Sequence, residues 1–231
     1  MNVISHIYHQ KFKQRFMDAR EFKDTIYNEL ADVSRALANP HRLEIIELLA
    51  QGPSSVEYVA NEAAISVASA SHHLQLLKNA RLVSIEKRGK YRYYSLASQQ
   101  VFHVWKSMRE LGFTQNAEIE KLVKNFRRSY HDLEPITAEE LRKRLKSGNA
   151  LLIDVRPDEE YKAGHISAAL SMPEHELSKR LNELSKSKEI IAYCRGPLCT
   201  MADKAVALLR RNGFQAVKLD IGYPEWEMER L

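Results

Sequence analysis

Two short runs, Ala150 to Val155 (ALLIDV) and Glu189 to Tyr193 (EIIAY), are apolar at nearly every position. A strand tolerates that composition only when both of its faces are covered, which is the situation of a parallel sheet packed between helices. The neighbouring segments supply the helices. Glu174 to Ser185 reads as helical, Thr200 to Arg211 as a further helix stopped at Gly213, and Ala216 to Leu219 as another strand. Ahead of them, ITAEELRKRLKSG is amphipathic, with Thr137 as its cap and Glu140 three residues later, a capping box. Strands alternating with helices predict an α/β unit.

The front of the chain follows another period. Asn39-Pro40 ends one helix and starts the next, because asparagine caps well and proline fits the first helical position. That helix carries Leu43, Ile46 and Leu49 on one face and stops at Gly52-Pro53. Ser54 or Ser55 then caps a short helix with Val56, Val59, Ala60 and Ala63 inward, and Ser66 caps a third in which Ala70, Leu74 and Leu77 form the apolar stripe while Ser69 and His72 point away. Two short helices joined by a tight turn make a helix-turn-helix. From Val83 to Leu96 the pattern becomes an alternation around Arg88-Gly89-Lys90, which predicts a hairpin.

Charge separates along the same line. Residues 1–130 carry 19 Lys and Arg against 13 Asp and Glu, and residues 131–231 carry 16 against 17. The weak point is Ser129 to Pro135, a polar stretch ending in a helix-disfavouring proline. We therefore expect two domains, 1–130 and 131–231, of which only the first meets a polyanion. In the hairpin region Lys78, Arg81, Lys87, Arg88, Lys90 and Arg92 face Glu86 alone. A helix with short polar side chains at its amino end fits the major groove, and a basic hairpin beside it reaches phosphates. No apolar run is long enough to span a bilayer and no signal-peptide core forms at the start, so the chain is expected in the cytoplasm without a membrane partner.

The segments ALANPHRLEIIELL at 36–49, SVASASHHLQLLKNARLV at 66–83 and KRGKYRYYSL at 87–96 together resemble the ArsR-type winged helix-turn-helix repressors. The resemblance implies a homodimer on a palindromic double-stranded operator, paired through helices near 15–38 and 98–126. It places Ser69, Ser71, His72 and His73 on the reading helix, with Lys87, Arg88, Lys90 and Arg92 on the wing; His72 is the better candidate for a DNA contact, and His73 equally suits packing. Tyr91, Tyr93 and Tyr94 are expected to pack the hairpin. Many relatives sense metals through cysteines or a His and Asp set, but this half has no cysteine, His103 stands alone, and His6 with His9 does not complete a first shell. No metal site and no cofactor are expected, so a signal has to enter elsewhere.

The chain has two cysteines, and both lie in YCRGPLCT. Cys194 follows a buried strand and leads through Gly196-Pro197 to a helix amino end, a setting of free backbone N–H groups that favours thiolate. Arg195 adds a nearby positive charge unless its side chain points to solvent. With LLIDVRPDEEYKAGHI at 151–166, YCRGPLC at 193–199 and GYPEW at 222–226, the segment resembles the rhodanese domain. That resemblance implies a parallel sheet with flanking helices, and a Cys194 that takes sulfane sulfur from a small donor and passes it to a thiol acceptor from a loop of Arg195, Gly196, Pro197, Leu198, Cys199 and Thr200.

Asp154 and Arg156 match the family's DVR and are expected to be structural, Arg156 pairing with Glu159 or Glu160 and Asp154 bonding nearby backbone. His165 is expected to be a turn residue, and Pro224 and Trp226 to pack the closing segment against the active loop. Cys199 stands where many relatives carry arginine, and no arginine follows at six or seven positions, which argues against the oxyanion-clamping relatives. Cys199 is either a resolving thiol or a small residue filling a helix start. The whole reads as a dimeric repressor, mainly α in its winged helix-turn-helix, with an α/β rhodanese-like module that senses or transfers sulfur. The rivals are a plain sulfurtransferase whose helical half dimerises, and a regulator whose rhodanese module only binds a ligand.

Overall fold

The structure, a computed structural model, describes residues 17–128, 130 and 135–229; His6, His9 and most of the expected boundary segment lie outside it. The front half opens with helix α1 (Ala19–Leu37), capped by the Asp18 carboxylate, and α2 (Pro40–Leu49), whose Asn39 cap accepts from the Arg42 N–H. A short strand β1 (Ser54–Ser55) leads into α3 (Val56–Glu62), capped by Ser55, and then α4 (Val67–Asn79), capped by Ser66. The hairpin is β2 (Val83–Arg88) with β3 (Tyr91–Leu96), turned at Gly89 with φ +62°, and β3 lies between β1 and β2. Ala70, Leu74 and Leu77 of α4 pack with Ile45, Ile46, Leu49, Val59 and Ala60 into one core.

The long helix expected to 126 is two helices. α5 (Gln99–Gln115) ends where Asn116 leaves helical geometry, and α6 (Ala117–Arg128) starts with the Asn116 side chain accepting from the Glu118 N–H. Asparagine competes for backbone donors at such a point and resets the helix.

Behind Pro135 come α7 (Ala138–Lys146) with its Thr137–Glu140 capping box, β4 (Ala150–Asp154), α8 (Asp158–Ala163), β5 (Leu170–Ser171) and α9 (Glu174–Leu177). The expected helix to Ser185 stops after α9 and resumes only as a 3₁₀ turn, Leu181–Glu183. Then follow β6 (Glu189–Tyr193), α10 (Met201–Arg211), β7 (Ala216–Lys218) and α11 (Tyr223–Met228). The strands form a parallel sheet in the order β5-β4-β6-β7. One face buries Ile153, Ile190, Ala192 and Cys194 under α10; the other buries Leu152, Ile191, Tyr193 and Trp226 with Leu141 of α7. Among the described residues no helix is long and apolar enough to cross a membrane.

Candidate functional site

The carboxyl end of β6 delivers Cys194 to the floor of a loop that ends at α10. Its thiol is buried, with 2% of the residue exposed, and Cys199 is half-buried. The loop curls because the Cys199 N–H donates to the Gly196 carbonyl at 3.1 Å, which folds both cysteines onto one spot. Burial by itself would push the Cys194 pKa up. It is outweighed by a hydrogen bond from the Cys199 thiol, the positive charge of Lys218 and the N–H groups of Ala202 and Gly196, so the group titrates near about 7. Cys199 moves the opposite way, well above its usual value, because it gives its hydrogen bond to Cys194 and is itself buried. The two thiols titrate as a coupled pair in which Cys194 gives up its proton before Cys199.

Cys199, Leu198 and Thr200 open onto a groove of about 480 Å³ whose opposite wall is Leu122 and Phe126 of α6. A helix of the front half thus forms the second bank of the approach to the cysteines.

The loop is held from the front half at several points. Arg195 does not point to solvent: its guanidinium, only 12% exposed, pairs with Glu62 at the end of α3 and with Glu160 of α8, and Tyr58 donates to that same Glu160 at 2.6 Å. Gln51 donates to the Arg195 carbonyl at 3.4 Å and accepts from Arg156 at 2.9 Å. Arg127 of α6 donates to the Pro197 carbonyl at 3.1 Å. Arg109 of α5 pairs with Glu225 of α11 at 2.8 Å, beside Gly196, with both side chains buried. Glu47 of α2 faces the same cluster; its buried Oε1 has no partner among the described residues, and burial, reinforced by the negative charge of Glu225 and opposed by Arg109 and Arg195, raises its pKa to about 7.

Several expectations change here. Arg156 does not pair with Glu159 or Glu160: its fully buried guanidinium grips Asp154 at 2.6 Å, and Asp154 takes the Arg156 N–H and the Tyr193 hydroxyl as well. The two-residue separation after β4 lets the guanidinium fold back onto the carboxylate before α8 comes within reach. Trp226 packs on the sheet face opposite Cys194, because its position in α11 turns it towards Ile136 and Leu141. The closing segment meets the loop instead at Gly222, where a Cβ would collide with the Arg195 carbonyl, and at Glu225. His165 is a turn residue, exposed and stacked on Tyr161 at 3.8 Å.

In the front half, Ser71 and His72 are exposed on α4, while Ser69 and His73 are half-buried. His73 lies 5.6 Å from His41, and burial, followed by the nearby His41 and Arg42, lowers its pKa. Lys87, Arg88, Lys90 and Arg92 are all exposed, with Arg88 bound to Glu86 at 2.7 Å. Tyr94 is buried and Tyr93 lies under Arg88, but Tyr91 is exposed beneath Lys90, because the strand period turns it outward at the tip. The residues missed by sequence reasoning are Gln51, Tyr58, Glu62, Arg109 and Lys218, all partners across long sequence separations. For Lys218 a signal existed: a lysine inside the apolar run of β7.

Residues 39–84 match the arsR family of bacterial regulatory proteins and residues 137–229 the rhodanese-like domain. The HTH-type transcriptional regulator Rv0324 of Mycobacterium tuberculosis is 38% identical over 209 residues, 90% of this chain and 92% of that protein. The homodimeric winged helix-turn-helix DNA-binding domain of Mb0332 from Mycobacterium bovis is 34% identical, covers 39% of this chain and 83% of its own, and has a TM-score of 0.38. Human single-domain sulfurtransferase TSTD1 is 28% identical, covers 41% of this chain and 96% of its own, and has a TM-score of 0.37. The chain belongs to the ArsR-type transcriptional regulators and carries a rhodanese-like domain behind its DNA-binding half.

Proposed function

We propose that this regulator is a repressor that reads sulfane sulfur through Cys194. The division is 1–130 for operator binding and dimerisation and 131–231 for sulfur handling. Two copies pair through the stripe Phe22, Ile26, Leu30 and Val33 on α1, which is exposed in the single chain. Ser69, Ser71, His72 and His73 meet the major groove, and Lys87, Arg88, Lys90 and Arg92 meet phosphates. Cys194 attacks the terminal sulfur of a persulfide or polysulfide donor; the donor S–S bond breaks, the donor leaves as thiolate, and Cys194 keeps the sulfur until a thiol acceptor removes it.

One observation carries sensing over plain turnover. The residue after the cysteine, Arg195, is clamped by Glu62 of the helix-turn-helix, so a displaced loop has to pull on the DNA-binding half. The test measures operator affinity before and after polysulfide treatment, with the Cys194 peptide weighed for added sulfur. Wild type is expected to change affinity, Cys194→Ser to stay constant, and Glu62→Gln to load sulfur with a reduced response. Turnover with constant affinity would establish the sulfurtransferase rival, and neither loading nor response would establish the binding module.

A further inference from the structure

A positive charge reaches the Cys194 loop from below. Lys218, the last residue of β7, is 1% exposed. Its Nζ donates to Asp203 of α10 at 2.6 Å and to the Cys199 carbonyl at 3.1 Å. The Cys194 thiol donates to that same carbonyl oxygen at 3.5 Å, so thiol and ammonium share one acceptor, and when the thiol ionises the ammonium is the donor that stays on it. Both charged side chains are inside the sheet-helix core, at 1% and 3% exposure.

Stability does not explain such a pair. Removing two ions from water costs several kcal/mol each, and apolar residues of similar size usually serve a core as well or better. Asp203 is also incompletely satisfied: its Oδ1 is buried with no partner among the described residues. The pair is therefore an expense of the fold at the one place where an anionic sulfur needs a counter-charge.

We propose that Lys218 is the positioning cation of the Cys194 site, fixing the Cys199 carbonyl and holding the charge of the Cys194 sulfur. The inference rests on the reading of Cys194 as the sulfur carrier. When Cys194 thiolate attacks the outer sulfur of a donor persulfide, one S–S bond forms as another breaks, the donor leaves as thiolate, and the new persulfide loses its proton to water. Cys194 carries one negative charge before and after, so one fixed cation serves both states.

The test uses the full chain with ¹³C-labelled cysteine, following the Cβ resonances of Cys194 and Cys199 against pH, and mass analysis of Cys194 after polysulfide. Lys218→Gln with Asp203→Asn keeps hydrogen-bonding groups and removes both charges; its Cys194 midpoint is expected to rise by about one pH unit, leaving up to about tenfold less thiolate near neutrality. Lys218→Arg is expected to keep the wild-type midpoint. Asp203→Asn alone leaves the lysine uncompensated and is expected to move the midpoint down, which keeps the test open if the double variant fails to fold. A folded double variant with an unmoved midpoint, or an Asp203→Asn midpoint that stays or rises, overturns the assignment. If the midpoints move as expected but wild-type Cys194 never gains sulfur, the lysine assignment stands and the carrier reading falls.

Discussion

Glu47 gives the most quantitative handle on the contact between the two halves. Its carboxyl lies within the cluster of Arg109, Glu225 and Arg195, and its pKa rises from 4.5 to about 7 in the folded chain, chiefly through burial. A folded-state carboxyl with a raised pKa keeps its proton where the unfolded chain has lost it. The folded state then binds more protons between about pH 4.5 and 7, so stability falls as pH rises through that window and levels off above it. At about 1.4 kcal/mol per unit, the loss reaches up to about 3 kcal/mol by pH 8. Glu47→Gln copies the protonated shape and removes the titration. We expect the variant to match wild type near pH 4.5 and to exceed it at pH 8 by up to about 6–12 °C in Tm, since each kcal/mol is worth about 2–4 °C in a chain of this size. The assay is thermal unfolding by circular dichroism in buffers of equal ionic strength. A Tm difference that is the same at both ends of the range would refute the reasoning, because a purely steric effect of the amide has no pH slope.

Three further outcomes are expected. Replacing Lys87, Arg88 and Lys90 together by alanine should flatten the salt dependence of operator binding by about 0.9 in log–log slope for each phosphate left without its cation; because Arg88 is already held by Glu86, the drop should correspond more nearly to two phosphates than to three, and an unchanged slope in an anisotropy titration would remove the wing from the interface. Once Cys194 carries a persulfide, Cys199 should attack its inner sulfur and expel the outer one as hydrosulfide, closing a Cys194–Cys199 disulfide. Non-reducing peptide mass analysis should find that link after polysulfide, and Cys199→Ser should prolong the persulfide; equal persulfide lifetimes and no link would leave Cys199 as a filling residue. Finally, if loading changes operator affinity, saturating operator should change the loading equilibrium of Cys194 by the same factor; unequal factors in persulfide-exchange titrations would place the responsible sulfur elsewhere.

What the sequence disclosed and what it withheld divide along the range of the interactions. The caps at Asn39, Ser66 and Thr137 satisfy donors within three residues, so each helix start was legible from a handful of letters. The strands of the back half were legible because parallel burial leaves little choice of residue. The break at Asn116 and the short helix after Pro173 were not, since a weak periodic pattern continues through both. Cys194 and its loop stood out as a strand-to-helix turn, but the burial of the thiol depends on how Cys199 folds over it, an arrangement without a periodic signature. Least legible were Arg195 with Glu62 and Arg156 with Gln51, separated by more than a hundred residues. Each of those side chains reads as an ordinary surface polar group until the two halves are brought together.

The nature of these contacts bears on how one added sulfur can be felt at the operator. An interior packed like an organic crystal has little room beside Cys194, and inserting an atom into such a site costs about 1–3 kcal/mol unless the loop moves. The loop cannot move freely, because Arg195 is gripped by Glu62 and Pro197 by Arg127, both from the front half. An apolar contact between the halves, such as Met228 against the front core, tolerates a small slide. The part-buried pair of Arg195 and Glu62 tolerates less, since withdrawing Glu62 gives up a charge-assisted bond worth about 1.5–3 kcal/mol even though Arg195 keeps Glu160. The strain of loading is therefore cheaper to relieve by carrying Glu62 along than by leaving it behind. Glu62 is the last residue of α3, which packs directly against the reading helix α4. The energy available from overpacking lies in the range of ordinary allosteric couplings, about 1–3 kcal/mol, so no larger source is needed to shift the DNA-binding half between two arrangements.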